Sequence, residues 1–300
     1  MKIAIVYICT GDYSIFWKNF FETSEQYLYP SAPSIHPSIH PSIHKDYFVF
    51  TDDNNLITQL EPLPNVKTYF QKRAGWPYDT LLRFNTFCTI QDVLMGYDYC
   101  YYWNANTYFV KEITPDVIPF PTKEQGLILW RHTLTYDCNT PEGFQAEKNP
   151  NSTAYIAPNT PCREYGGGFL GGTPEAFIAM SQTLRDNIAT DLSHGIIAIW
   201  HDQSHLQNYA LSHSCVEVPR YVICSEEYVD TCATPPYAIF ANKQRYGGMH
   251  KLRNMPLQFR LKVYLQRKVV RTLKPFVFKA LKSLGIYWLI RKIYRLIKKK

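Results

Sequence analysis

The last fifty residues contain no aspartate or glutamate at all. Residues 251–300 hold 16 lysines and arginines without an acid, whereas residues 1–250 hold 16 against 25 acids. The net charge of +7 therefore hides an acidic body and a basic tail, which is not the profile of a uniformly basic nucleic-acid binder. No stretch approaches the roughly 20 apolar residues needed to span a bilayer. Met1-Lys2 leads straight into a strand-like run with no small-residue cleavage site, so the chain is expected to be cytoplasmic. The eight cysteines (9, 88, 100, 138, 162, 215, 224 and 232) include no CxxC pair and no zinc-ligand spacing. Cys9, Cys88 and Cys100 lie in apolar runs, where a reduced core thiol is the usual state. What is present is a globular composition over 300 residues, with 46% hydrophobic and 19% charged. That excludes a disordered chain, a coiled coil and a collagenous fibre. The 23 tyrosines and 6 tryptophans suit pockets that stack flat, hydroxyl-rich ligands.

Strand and helix patterns alternate through the first half. Ile3 to Ile8 is a continuous apolar run of the kind a buried parallel strand needs. Thr10-Gly-Asp12 breaks it, and helical spacing follows from Tyr13 to about Leu28 through Phe16, Phe20, Phe21 and Tyr27. Tyr47 to Thr51 and Val66 to Phe70 read as strands, Thr80 to Met95 as a helix, and Tyr99 to Trp103 as a fourth strand. Such alternation predicts a parallel α/β sheet with ligands at the carboxyl ends of its strands. Residues from about Thr133 to Gly172 are rich in Gly, Pro, Asn and Thr and read as a long loop that lines or covers a site. Helical patterns return from Pro174 to about Asp191 and from His201 to Leu211.

Two segments stand apart. Between the first helix and the second strand, Pro-Ser-Ile-His is written three times over residues 33–44. Proline at every fourth position denies this stretch both helix and central strand. A metal clamp from His36, His40 and His44 is one reading; an exposed loop expanded by duplication is the one adopted. The tail, residues 255–300, splits at Pro275 into two basic amphipathic stretches. Interleaved aromatic, aliphatic and cationic residues favour docking on an anionic membrane surface over a partner-binding helix, and no nucleic-acid reader motif accompanies the charge.

Four clusters fall where a doubly wound enzyme would keep its site. The first is the turn Tyr7-Ile-Cys-Thr-Gly-Asp-Tyr13 after strand one; alone it is an ordinary strand-to-helix connection. The second is Trp76-Pro-Tyr-Asp-Thr-Leu-Leu-Arg83, whose guanidinium would either meet a phosphate or carboxylate or sit solvated on the surface. The third, Tyr102-Trp-Asn-Ala-Asn106, ends strand four with two neutral amides that can hydrogen-bond a ribose or phosphate but hold a divalent cation poorly. The fourth joins Tyr165-Gly-Gly-Gly-Phe-Leu-Gly-Gly172 to Trp200-His-Asp-Gln-Ser-His205. Its five glycines in seven residues allow close approach of a backbone to a ligand.

The order of these motifs, with Ser152-Thr-Ala-Tyr-Ile156 between them and Tyr246-Gly-Gly248 after them, resembles glycosyltransferase family 6 (the histo-blood group A/B transferase and α-1,3-galactosyltransferase family). The resemblance covers about residues 2–254, a catalytic domain 1–254 from which the tail stands apart. Asn-Ala-Asn in place of Asp-x-Asp is similar to the bacterial, metal-independent branch. The resemblance implies a GT-A fold, an α/β open mixed sheet flanked by helices, to which the basic amphipathic helical tail is appended. It implies retaining transfer of GalNAc or Gal from UDP in α-1,3 linkage to a galactose-containing, fucosylated oligosaccharide or lipid-linked glycan. No cofactor and no metal are expected. The implied donor contacts are Ile8, Thr10 and Tyr13 on the uridine, Trp76 and Arg83, Asn104 and Asn106 on the ribose and diphosphate, and Lys243 with Arg245 or Arg253 on the leaving UDP. Asp202 would bind the donor sugar hydroxyls; His132, Gln145, Trp200 and His201 would shape the acceptor site. Gly166, Gly167 and Gly168 match the segment that separates GalNAc from Gal enzymes, and the absence of side chains at 166 and 168 is expected to leave room for an N-acetyl group.

One departure bears on mechanism. Where the family reads Trp-His-Asp-Glu-Ser, position 203 is Gln, and an amide cannot form the covalent intermediate of a double displacement. A front-face route with Gln203 orienting the acceptor is expected, and restoring Glu at 203 is expected to raise turnover. The rival expectation is a degenerate protein that binds sugar nucleotide or glycan without turning it over. A second departure is Ala146-Glu-Lys-Asn149, where the family commonly has an aromatic residue, an acid and two arginines.

Overall fold

Every residue from Ile3 to Tyr7 is buried, and the run divides its side chains between two cores. Ile3, Ile5 and Tyr7 pack into one, Ala4 and Val6 into the other. A strand covered on both faces reads as an unbroken apolar run because neither set of alternate residues meets water. The computed structural model describes residues 1–30 and 42–254. Among them this strand, β1 (Lys2–Ile8), lies inside a mixed sheet of seven strands. The others are β2 (His44–Thr51), β3 (Val66–Phe70), β4 (Tyr99–Trp103), β6 (Leu127–Arg131), β7 (Tyr165–Gly172) and β8 (Cys215–Val218), with β5 (Thr107–Phe109) belonging to a second sheet. The order is β3-β2-β1-β4-β7-β6-β8. β1 to β4 run parallel, β7 runs antiparallel to both of its neighbours, and β8 is parallel to β6.

The glycine-rich segment is thus no part of a loop. Residues 165–172 form β7, between β4 and β6. It escapes a propensity reading because glycine is a poor strand former. Here the missing side chains let large neighbours pack in. A Cβ at Gly171 would fall 2.0 Å from the Tyr101 ring, and one at Gly172 2.4 Å from the Gly126 carbonyl oxygen.

Helices cover both faces. α1 (Trp17–Tyr27) follows a 3-10 turn over Gly11–Phe16 and packs Trp17 and Phe20 into the first core. α2 (Asn54–Leu60) is capped by Asp53, whose carboxylate accepts from the amides of Asn55 and Leu56. The helix expected over 80–95 is three short ones: α3 (Tyr78–Leu81), α4 (Arg83–Thr89) and α5 (Gln91–Leu94). Breaks at Leu82 and Ile90 separate them. α6 (Pro174–Ser193), capped by Thr173, and α7 (Asp202–Tyr209) cover the other face, with Phe177, Met180, Leu184 and Leu206 in the second core.

The expected loop over 133–164 is pinned rather than free. Asp191 of α6 accepts from Ser152 Oγ and from the Thr153 amide at 2.8 Å, and Glu147 accepts from the Ile199 amide at 2.7 Å. Ser152 to Ile156 is therefore an anchor. A second sheet, β5-β10-β9, is built from β9 (Ile223–Ser225) and β10 (Ala238–Phe240). The last helix is α8 (Gly248–Leu252). Of the tetrapeptide repeat, residues 33–41 lie outside the described residues. Its third copy is more than a loop: Ile43 is buried in the first core and His44 opens β2. The tail, residues 255–300, lies outside the described residues. Among the described residues no helix is long and apolar enough to cross a membrane.

Candidate active site

Because β7 runs antiparallel to β4, its first glycines lie beside the carboxyl end of β4. Trp103 pairs with Phe169, and the Asn104 amide donates to the Gly168 carbonyl at 2.8 Å. The exit of β10 is tied to the same edge. Ala241 N–H donates to Asn106 O at 2.7 Å, and Asn106 Nδ2 returns a bond to Ala241 O at 2.8 Å. This reciprocal pair delivers the chain through Asn242 to Lys243. Two adjoining spaces open here: a narrow cavity of about 120 Å³ and a wider cleft of about 460 Å³. Trp76, Thr80, Arg83, Asn104, Lys243 and Arg253 line both.

The narrow cavity is cationic. Ile8, Thr10 and Tyr13 form one wall, and Arg73, Arg83, Lys243 and Arg253 converge on it. Arg83, buried at the start of α4, pairs with Asp202 at 3.0 Å, lies over the Tyr102 ring and donates to the Gly167 carbonyl. Arg253 stacks on Trp76 at 3.6 Å, and Lys243 lies 5.4 Å from the Tyr13 ring. Burial, then the charges of Arg253 and Arg83, hold Lys243 down to about 8. A cation crowded by like charges gains most when an anion arrives. Successive positive φ values at Gly247 (+89°) and Gly248 (+80°) reverse the chain between Lys243 and Arg253, a path that side-chain-bearing residues rarely follow.

Asp202 opens α7, where the helix N-terminus favours an anion. Burial nevertheless lifts its carboxyl to about 6, against the opposing pull of Arg83. His201 just before it adopts φ +54° and meets the Trp76 ring at 4.5 Å. Burial, Arg253 and Arg83 push its imidazole down to about 4, so it stands neutral at pH 7.

The cleft adds aromatic and neutral walls, with Trp130, His132, Trp200, Gln203 and Phe240, and carries charge of both signs, with Asp202 and Glu227 facing the shared cations. Three buried polar atoms of its lining have no hydrogen-bond partner: Asn106 Oδ1, Trp130 Nε1 and His132 Nδ1. Such atoms are costly in a closed protein. The Gln203 amide is already engaged. Its Oε1 accepts from Gly167 N–H at 3.2 Å, and its Nε2 donates to Glu164 Oε1 at 3.1 Å.

The family model for Glycosyltransferase family 6 matches residues 1–238. The chain belongs to this family. It is 32% identical over 209 residues to the Escherichia coli "O-antigen biosynthesis glycosyltransferase WbnI", covering 70% of this chain and 82% of that protein. It is 37% identical over 83 residues to the rat "Histo-blood group ABO system transferase 1", covering 27% of this chain and 24% of that protein. The chicken "Globoside alpha-1,3-N-acetylgalactosaminyltransferase 1" is 20% identical over 80% of this chain and 65% of its own length. The mixed sheet flanked by helices is consistent with a GT-A-like fold. This family 6 chain is a hexosyltransferase acting on a nucleotide-sugar donor and a glycan acceptor, and retention is typical of its family.

Not every residue singled out in the sequence joins the two spaces of the transferase. Gln145 is exposed and lines neither. Arg245 points away into an ion pair with Glu226 at 2.5 Å. Asn106 is buried and spends its amide nitrogen on Ala241, so the two asparagines do different work. Gly166 and Gly168 do not leave the room expected for an N-acetyl group. A Cβ at Gly166 would fall 2.3 Å from the Trp130 ring and one at Gly168 2.5 Å from the Phe240 ring. Aromatic rings already fill the room expected there. Gly167 alone faces Asp202, whose Oδ2 would lie 3.0 Å from a Cβ, and Arg83.

Sequence reasoning missed Trp130, Phe240, Arg73 and Glu164. Trp130 had a signal, since β6 is a wholly buried run of Leu, Ile, Leu, Trp and Arg. Phe240 and Arg73 had none, because each arrives from a short strand or an irregular segment. Glu164 precedes a glycine run that reads as a loop until β7 is recognised.

Proposed function

We propose that this transferase moves GalNAc, and Gal less readily, from UDP in α-1,3 linkage to the galactose of a fucosylated glycan, without a metal ion. The observation that carries this reading is the convergence of Arg83, Lys243 and Arg253 beside the neutral Asn104 and Asn106. Where carboxylates would bridge through a divalent cation, side-chain cations meet the diphosphate directly. The choice of GalNAc is supported by the activity for which the globoside relatives are named rather than by the glycines.

In the proposed reaction UDP lies in the narrow cavity with the sugar reaching Asp202, which accepts from its hydroxyls. The acceptor enters across Trp200, and Gln203 orients its hydroxyl. That hydroxyl oxygen bonds to the anomeric carbon on the face from which the phosphate oxygen departs. Its proton passes to the departing phosphate oxygen while the three cations stabilise the growing charge. Configuration is retained without a protein nucleophile. The basic tail would hold the enzyme peripherally on the cytoplasmic face of an anionic membrane, where lipid-linked acceptors such as O-antigen precursors lie.

The test is product formation in EDTA with UDP-GalNAc or UDP-Gal and a Fucα1-2Gal acceptor. Product from UDP-GalNAc at an undiminished rate is expected. Activity that appears only when Mn²⁺ is added back counts against the metal-free reading. For the tail, salt-sensitive binding to anionic vesicles should vanish on truncation after Asn254; equal binding by the truncated protein would sink that part.

A further inference from the structure

The Gln203 amide is oriented by two unlike partners. Gly167 N–H can only donate, so it demands the carbonyl oxygen of Gln203. The Glu164 carboxylate can only accept, so it demands the amide nitrogen, 3.1 Å away. Glu164 is buried, immediately before β7, and its second oxygen takes a bond from Thr135 Oγ1. It lines neither cavity. Its charge reaches the cleft through Gln203, which does line it.

We propose that Glu164 is a positioning residue for glycosyl transfer, one that orients Gln203 and polarises its carbonyl oxygen toward the cleft. This rests on the functional reading above. An amide whose N–H donates to a carboxylate shifts electron density onto its oxygen, as neighbouring bonds in a chain strengthen one another. Oε1 holds a second lone pair beyond the one given to Gly167. That lone pair is the acceptor for the incoming hydroxyl. Glu164 thus acts from one residue behind the cleft wall, which Asp202 and Glu227 line directly. A carboxylate placed at 203 would face Glu164 where an N–H now donates, and two carboxylates so close cannot both remain ionised. Restoring Glu at 203 alone therefore lowers turnover, opposite to the expectation drawn from sequence.

A double-mutant cycle of Glu164→Gln, Gln203→Glu and the pair tests this, read in kcat and donor KM and, separately, in Tm. Each single variant should lose about tenfold or more in kcat with little change in donor KM. The double variant, which exchanges amide and carboxylate, should recover above both singles, and its Tm should recover from the fall seen in Gln203→Glu. A rise in turnover for Gln203→Glu with Glu164 in place would overturn the proposal, as would losses that simply multiply in the double variant. If the parent makes no product from either donor, the functional reading fails. The Tm cycle still decides the pair, because additive Tm changes would show that Glu164 and Gln203 do not act together.

Discussion

The two adjoining spaces of the site differ in their physics. The narrow cavity gathers Arg73, Arg83, Lys243 and Arg253 around a few polar walls. The cleft presents indole and phenyl rings, a neutral histidine and an engaged amide. The first holds a lysine depressed by burial and like charges, which an anion would relieve; in the second, buried hydrogen-bonding atoms of the wall have no partner. Arg83 and Asp202 join them: one ion pair, buried on both sides, stands in the proposed reaction where leaving group and transferred sugar meet. Recognition of the diphosphate and of the acceptor should therefore be separable by mutation, while the junction should not.

Breaking the junction should cost most. Asp202→Asn removes the sugar-facing carboxylate and leaves Arg83 unpaired, and should lower kcat/KM for both substrates about 100-fold or more. A loss confined to one substrate would place Asp202 on a single side. The next largest effect is expected from Lys243→Ala. It should weaken UDP binding by about tenfold to a hundredfold, the worth of a charge-assisted bond, with acceptor KM little changed. Titration calorimetry with UDP checks it. Trp200→Ala should do the reverse, and equal effects of both variants on both ligands would dissolve the division.

The pH dependence sharpens the same contrast at about tenfold. Asp202 must be ionised to accept from sugar hydroxyls, so kcat/KM should rise as pH climbs through about 6. Lys243 must be protonated to hold the diphosphate, so it should fall again through about 8. Lys243→Arg should remove the alkaline limb, since guanidinium does not titrate there. For stability Asp202 works the other way. Its folded value of about 6 lies above its ordinary 3.8, so the stability its protonated form contributes is lost as pH rises through about 6. The smallest effect belongs to Gly166→Ala. Its Cβ meets the Trp130 ring, so it should lower stability by about 1–3 kcal/mol in thermal unfolding, without changing the ratio of GalNAc to Gal transferred. A changed ratio would return position 166 to donor selection.

Much of this site was legible along the chain. Ile8, Thr10 and Tyr13 follow a strand whose apolar run is unmistakable, and Trp76, Arg83, Asn104 and Asp202 sit in motifs at the ends of elements. They were readable because a buried strand and a helix start each leave a local signature. Lys243 and Arg253 were reached through family likeness, and both come to the cavity through a ten-residue bend turned at Gly247 and Gly248.

Some features can be read along the chain alone: the strand-helix alternation, the neutral Asn-Ala-Asn, the amide at 203 and the charge division at the tail. Those are properties of single positions or of short periods, fixed whatever the neighbours. Three others emerge only in the folded chain: the glycine run is a strand, Trp130 and Phe240 occupy the space above Gly166 and Gly168, and Glu164 faces Gln203. Each of these joins residues 34 to 72 positions apart in the chain. The physical reason is that packing and hydrogen bonding act on distance in space, and an antiparallel strand inserted into a parallel sheet makes neighbours that no local pattern encodes.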